Sequence, residues 1–281
     1  MVSSVFSTTE QKKVLRPLLA EMLKQRKKGK TLVVGIQGGQ GTGKTTLVTF
    51  LQQELTKKGY KVQSFSIDDF YKPLKERQRL QKKYRDNPFY QISRGMPGTH
   101  RVNYLHETLR NIKAGKDFEI PIFDKSLHQA QGDVVNKTIK VHGRQDFVLF
   151  EGWCLGLPVV SLAELEKICT KNRINIRQLD PTLAYSKVVL EHTKEYQPLR
   201  KFIDLMVMLT PDSSVLHKQW RSQQEQELKQ RTGKGMTKKE IERFVELFLP
   251  LTYVCYEKIH PDITIYIDKN HTFYRMKTIF L

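Results

Sequence analysis

The sequence predicts an α/β fold with a doubly wound parallel sheet. Three observations predict it: short apolar runs alternate with helical patterns, a glycine-rich loop closes the first run, and acids close two later ones. At 281 residues and 39% hydrophobic side chains, the chain has ample material for a large core. No linker interrupts it, so one domain is expected over 1–281. Within it we expect an N-terminal helix with a basic connector (1–30), an insertion (72–145) and a helical lid (212–250).

Ser7-Thr8-Thr9-Glu10 is a capping-box pattern, and Val14, Leu15, Leu18, Leu19, Met22 and Leu23 follow at helical spacing, with Pro17 marking a start or a bend. Lys24 to Lys30 is a basic connector. The apolar run Leu32 to Ile36 then reads as a strand leading into Gly38-Gly39-Gln40-Gly41-Thr42-Gly43-Lys44-Thr45, which fills every position of G-x-x-x-x-G-K-[ST]. Glycines let backbone N–H groups turn inward around an anion, and the helix starting near Lys44 adds its N-terminal dipole. Lys44 adds a full charge, Thr45 is the expected hydroxyl ligand of Mg²⁺, and Thr46 is a phosphate contact.

Gly59 stops that helix, and Lys61 to Ile67 reads as a second strand ending in Asp68-Asp69-Phe70-Tyr71. Ligands of such sheets bind at the carboxyl ends of strands, so one of these acids is placed to take a proton from an attacking hydroxyl. The same pair equally fits a turn or a helix cap. Residues 72–100 read as a solvent-exposed excursion with a basic face, then a shaped loop from Arg94 to Arg101. Tyr104 to Ile112 is a short helix ended by Gly115. The mixture in Ile120 to His128 suits either the lining of a polar pocket or a surface loop.

Gln145 to Gly152 is a buried parallel strand ending in a Walker B-type acid, Glu151, which would hold Mg²⁺ directly or through water, or orient the attacking group. Phe202 to Thr210 is the next strand and Ile263 to Ile267 the last. Between them lies a long helical pattern, Asp212 to Arg231, with Trp220, Arg221, Gln224 and Glu225. Gly233-Lys234-Gly235 interrupts it, and a capping box at Thr237 to Glu240 opens a second helix running toward Pro250. A basic helical pair with a glycine hinge can close over a nucleotide and bring an arginine to the transferring phosphoryl. A salt-bridged surface helix fits the same pattern.

Forty-eight Lys and Arg against 29 Asp and Glu give a net charge of +19, so anionic partners are expected, either nucleic acid or small phosphorylated or carboxylated metabolites. No nucleic-acid-binding motif accompanies the charge. Cys154, Cys169 and Cys255 form no C-x-x-C pair, which points away from zinc and toward a reducing compartment. No apolar run is long enough to span a bilayer. Glu10 and Glu21 argue against a mitochondrial presequence, leaving cytoplasm, or nucleus, as the expected location.

Gly38 to Thr45, Asp68-Asp69-Phe70-Tyr71, Met96-Pro97-Gly98-Thr99-His100, Phe123 to His128 and Phe150 to Gly156 together resemble the D-glycerate 3-kinase family of P-loop kinases. More narrowly, they resemble its fungal ATP-dependent members. The resemblance runs from about Thr31 to Ile267. It implies a mononucleotide-kinase-like fold, ATP with Mg²⁺, and phosphoryl transfer to a hydroxyl of a small metabolite. By position it makes Asp68 the catalytic base, Glu151 the acid that organises metal and water, and Arg221 the lid arginine. Asp69, Tyr71, His100, Arg101, Asp124, Lys125 and His128 then belong to the acceptor side. Arg101 stands where the family has Asp, a charge reversal that argues for an acceptor more anionic than glycerate. Two other classes are alternatives to this kinase: a nucleic-acid-associated NTPase and a non-catalytic nucleotide switch.

Overall fold

A computed structural model describes residues 6–232 and 236–279. The expected hinge at Gly233 to Gly235 lies outside the described residues. Among the described residues, eight strands form two sheets. The larger contains β1 (Leu32–Gly38), β2 (Val62–Ser66), β5 (Phe147–Gly152), β6 (Leu205–Pro211), β7 (Ile263–Ile267) and β8 (Phe273–Thr278), in the order β2-β5-β1-β6-β7-β8. The first five are mutually parallel, and β8 runs antiparallel to β7. The α/β fold expected from the sequence is therefore present, with one antiparallel edge.

The central strands are apolar at nearly every position because both faces are covered. Leu32, Val34 and Ile36 of β1 join one core with Leu149, Val207 and Leu47, while Val33 joins the other with Val148, Phe150 and Met206. The Lys44–Lys57 helix packs on the first face; the Val102–Ala114, Leu162–Lys171 and Lys238–Lys258 helices pack on the second.

The N-terminal helix forms as expected, with Ser7 and Glu10 capping it reciprocally. A π-helical turn, Gln11–Leu15, precedes the Arg16–Gln25 helix at Pro17, which has no N–H to give. Buried Glu10 also accepts the N–H of Phe273 at 3.0 Å, tying this helix to β8.

Four expectations change. Ile263–Ile267 is not the last strand, because the charged edge strand β8 follows it. Ile120 to His128 is not one loop: Phe118–Asp124 is β3, paired antiparallel with β4 (Asp133–Val141), whose exposed lysines hid the hairpin. Residues 72–100 are not simply solvent-exposed, since Phe89, Tyr90 and Met96 enter the core. Arg77, 1% exposed, donates to the carbonyls of Lys72, Ser93, Gln131 and Gly132, fastening this excursion to the hairpin turn. Finally, the Lys238–Lys258 helix continues through Pro250.

Candidate active site

The phosphate loop joins β1 to the Lys44–Lys57 helix, with Gly43 at φ +81 as its N-cap, a conformation glycine adopts without strain. Lys44 folds back on its own loop, its Nζ donating to the carbonyls of Gly38 (3.0 Å) and Gly39 (2.9 Å). Burial lowers its pKa, against the opposing charges of Glu151 and Asp68. Thr42 closes the loop from within, its hydroxyl donating to Gly39 O at 2.9 Å.

The outer side of the loop is held by residues far along the chain. His217 Nδ1 donates to the Gln40 carbonyl at 2.9 Å, the Gly39 N–H donates to the Tyr256 hydroxyl at 3.1 Å, and His271 Nε2 donates to the Gly41 carbonyl at 3.0 Å. The Trp220 ring stacks on His271 with centroids 4.3 Å apart, and a Cβ on Gly41 would meet Trp220 Cβ at 2.7 Å. Burial holds His217 down at about 4, so it is neutral here and carries its proton on Nδ1.

Beside the loop opens a cavity of about 660 Å³. Its lining brings together Lys44, Thr45, Asp68, Glu151 and Arg221 from separate elements. Glu151, the last acid of β5, accepts a hydrogen bond from the Thr45 hydroxyl at 2.7 Å. The chain beyond β5 is pinned by buried Gln37, which donates to the Trp153 carbonyl and accepts the Leu155 N–H.

Asp68 and Asp69 lie on a 3₁₀ turn, Ile67–Phe70, just past β2, and the two acids divide two tasks. Asp69 accepts the Ser66 N–H at 2.8 Å and caps the turn. Asp68 pairs with Lys125 Nζ at 2.7 Å. Burial works to raise the pKa of Asp68, but Lys125 above all outweighs it and keeps the carboxylate ionised. Asp69 is instead raised to about 6, first by burial and then by the charge of Asp68, with the Ser66 N–H opposing.

Arg221, also on the cavity lining, forms an ion pair with buried Glu225 at 2.7 Å and lies over the Phe244 ring at 5.3 Å. Glu225 also accepts the Met236 N–H at 2.8 Å, linking the Val215–Thr232 helix to the start of the next one.

Comparison with known proteins settles the class of machine this is. A family model for the methylmalonyl Co-A mutase-associated GTPase MeaB matches residues 2–74, the part carrying the phosphate loop and the first two strands. A solved D-glycerate 3-kinase from Cryptococcus neoformans superposes with a TM-score of 0.81 over 94% of this chain and 99% of its own, at 26% identity. The chloroplastic D-glycerate 3-kinase of Arabidopsis thaliana is 31% identical over 78% of this chain and 46% of its own length. The uncharacterized kinase mug58 of Schizosaccharomyces pombe is 34% identical over 92% of this chain and 95% of its own. The chain belongs to this family of P-loop kinases. It is an ATP-dependent small-molecule kinase, a phosphotransferase. No helix among the described residues is long and apolar enough to cross a membrane.

Within this kinase, Asp69, Tyr71, His100 and Lys125 line the cavity, along with Gln40 and Gly41 of the loop. Gly38, Gly39, Thr42, Gly43 and Thr46 build the loop and helix start behind that lining. Arg101, Asp124 and His128 stand outside it. The Arg101 guanidinium lies over Tyr104 at 5.2 Å, Asp124 accepts from Ser126, and His128 pairs with Asp133 at 3.3 Å. His128 has φ +52, in the left-handed region. Arg94, Trp153, Gln224, Phe244 and Phe248 also line the kinase's cavity, although the sequence reading assigned them no site role. Arg94 and Gln224 stood inside motifs already singled out, so the signal was present and unused.

Proposed function

We propose that this kinase transfers the γ-phosphoryl of ATP to a hydroxyl of a small anionic metabolite held by Asp68. One observation carries the reading: a single cavity is lined by Lys44, Thr45 and Glu151 together with Asp68, Lys125 and Arg94. Gly38 to Thr46 would hold the nucleotide phosphates, with Lys44 exchanging its two loop carbonyls for phosphate oxygens.

Thr45 and Glu151 fit a Mg²⁺ ion. They are hard oxygen donors side by side, and Mg²⁺ characteristically takes one or two carboxylates with phosphate oxygens and water. Bound there it would neutralise charge on the β and γ phosphates.

The acceptor oxygen attacks the γ phosphorus, the bond to the β-phosphate oxygen breaks, and the hydroxyl proton passes to Asp68. Such transfers have loose transition states, so Asp68 serves by orienting the hydroxyl even with a lowered pKa. Arg221 faces the charge spread over the transferring group, and Lys125 and Arg94 supply cations for the acceptor's anionic group. Since Arg101 is turned away, its replacement of the family Asp leaves the charge of the cavity unchanged, and D-glycerate becomes the first acceptor to test.

The test is a screen of hydroxyl-bearing metabolites for ADP release, with D-glycerate first and Lys44→Ala as the blank. We expect Mg²⁺-dependent turnover of a small hydroxy acid. ATP hydrolysis that responds to polynucleotide and to no small acceptor would sink the reading.

A further inference from the structure

His100 is 1% exposed yet lines the cavity, lying flat on the ring of Tyr71 with centroids 4.3 Å apart. Its Nδ1 is 2.7 Å from the Tyr196 hydroxyl, whereas its buried Nε2 has no protein partner. An imidazole so placed has one nitrogen committed to the protein and one left for a ligand.

The Tyr196 hydroxyl decides which nitrogen carries the hydrogen. Tyr196 is fully buried, and its oxygen already accepts the N–H of Gly98 at 3.2 Å. Gly98 sits at φ +92, a conformation open to glycine, in the turn that presents this N–H. An amide N–H cannot accept a hydrogen. Among the described residues, the Tyr196 O–H therefore has one acceptor in reach, His100 Nδ1. Burial pushes the Tyr196 phenol well above its ordinary pKa, so it keeps its proton. Burial also holds His100 down at about 4, against the charge of Asp68, so the ring is neutral at physiological pH. A neutral imidazole that accepts at Nδ1 carries its hydrogen on Nε2.

We infer that Tyr196 is a positioning residue that fixes His100 as an Nε2–H donor facing the cavity, where it binds an oxygen of the phosphoryl acceptor. That the oxygen belongs to an acceptor rests on the kinase reading above; the direction of the donor rests on Gly98, Tyr196 and His100. A donor that cannot reverse favours hydroxyl, carbonyl or carboxylate oxygens and disfavours an ammonium at the same place, giving the site a polarity beyond its net charge.

The test uses the full chain with ¹⁵N-labelled histidine. Long-range ¹⁵N–¹H correlation at pH 7 should show His100 neutral with the hydrogen on Nε2, and Tyr196→Phe should introduce the Nδ1–H form. With D-glycerate as acceptor, His100→Phe should raise KM for D-glycerate about tenfold while leaving KM for ATP near its original value. His100→Gln, whose amide N–H₂ reaches the position of Nε2, should recover most of that loss, and His100→Asn should not. A wild-type ring protonated on Nδ1 or on both nitrogens overturns the inference. So does an unchanged KM in a folded His100→Phe protein. If the wild-type kinase leaves D-glycerate untouched, the acceptor assignment fails, and the ring's spectrum still decides for or against the donor.

Discussion

The ammonium of Lys125 stands 2.7 Å from Oδ2 of Asp68, joining the turn after β2 to the segment after β3 across the acceptor side of the cavity. This contact is what most lowers the Asp68 pKa against its burial. Lys125→Met should therefore let the Asp68 pKa rise. The ionised carboxylate is the working form, so the acidic limb of the kcat/KM profile should move to higher pH. A profile that keeps its acidic limb would place the titrating group elsewhere.

Asp68→Asn keeps the shape of the side chain and removes its capacity to take a proton. Loss of a positioned base costs on the order of 10²- to 10⁴-fold in rate. We expect kcat to fall by that order while ATP affinity, measured by calorimetry, stays close to wild type. Full activity in this variant would remove Asp68 from the reaction.

Asp69 sets a pH dependence of stability. Its carboxyl is raised from 3.8 to about 6 in the fold, so the folded chain prefers it protonated. The stabilisation that goes with that proton is present below about pH 4 and is lost as the pH rises through about 6. Asn at this position still accepts the Ser66 N–H and does not titrate. Asp69→Asn should flatten the melting temperature across this window and raise it at pH 8 by about 2–4 °C, equivalent to about 1 kcal/mol. An unchanged pH profile of melting would refute the assignment.

Glu151 carries the metal prediction. Glu151→Gln retains an acceptor for the Thr45 hydroxyl but loses the charge that suits Mg²⁺. The Mg²⁺ concentration giving half-maximal rate should rise about 10- to 100-fold. An unaltered Mg²⁺ titration, at constant ATP, would show that the ion is held by other groups.

How much was legible in the sequence depended on how local the cause was. The phosphate loop is contiguous, and Asp68 and Glu151 were placed because parallel strands bring their carboxyl ends to one edge of the sheet. The pair Asp68-Asp69 was ambiguous between catalysis and capping, and the fold gives the cap to Asp69. Arg101 was misplaced for a geometric reason. His100 forms an extended bridge with Tyr71, and successive residues of extended chain point to opposite sides, so the neighbour of a cavity residue faces away. The hairpin β3–β4 and the edge strand β8 have mostly exposed, polar faces and too little alternation to stand out. His217, Tyr256 and His271 were invisible as loop partners because nothing in their own segments refers to glycines so far upstream.

Those three partners also give the kinase a timetable. They lie 177, 217 and 230 residues beyond the backbone groups they hold. A ribosome adding roughly 5–20 residues per second completes the glycine motif and then runs for about 10–50 s before the last brace emerges. During that interval the growing chain displays an intact nucleotide signature without the side chains that shape it. A fragment ending before His271 would carry the motif without its full set of supports.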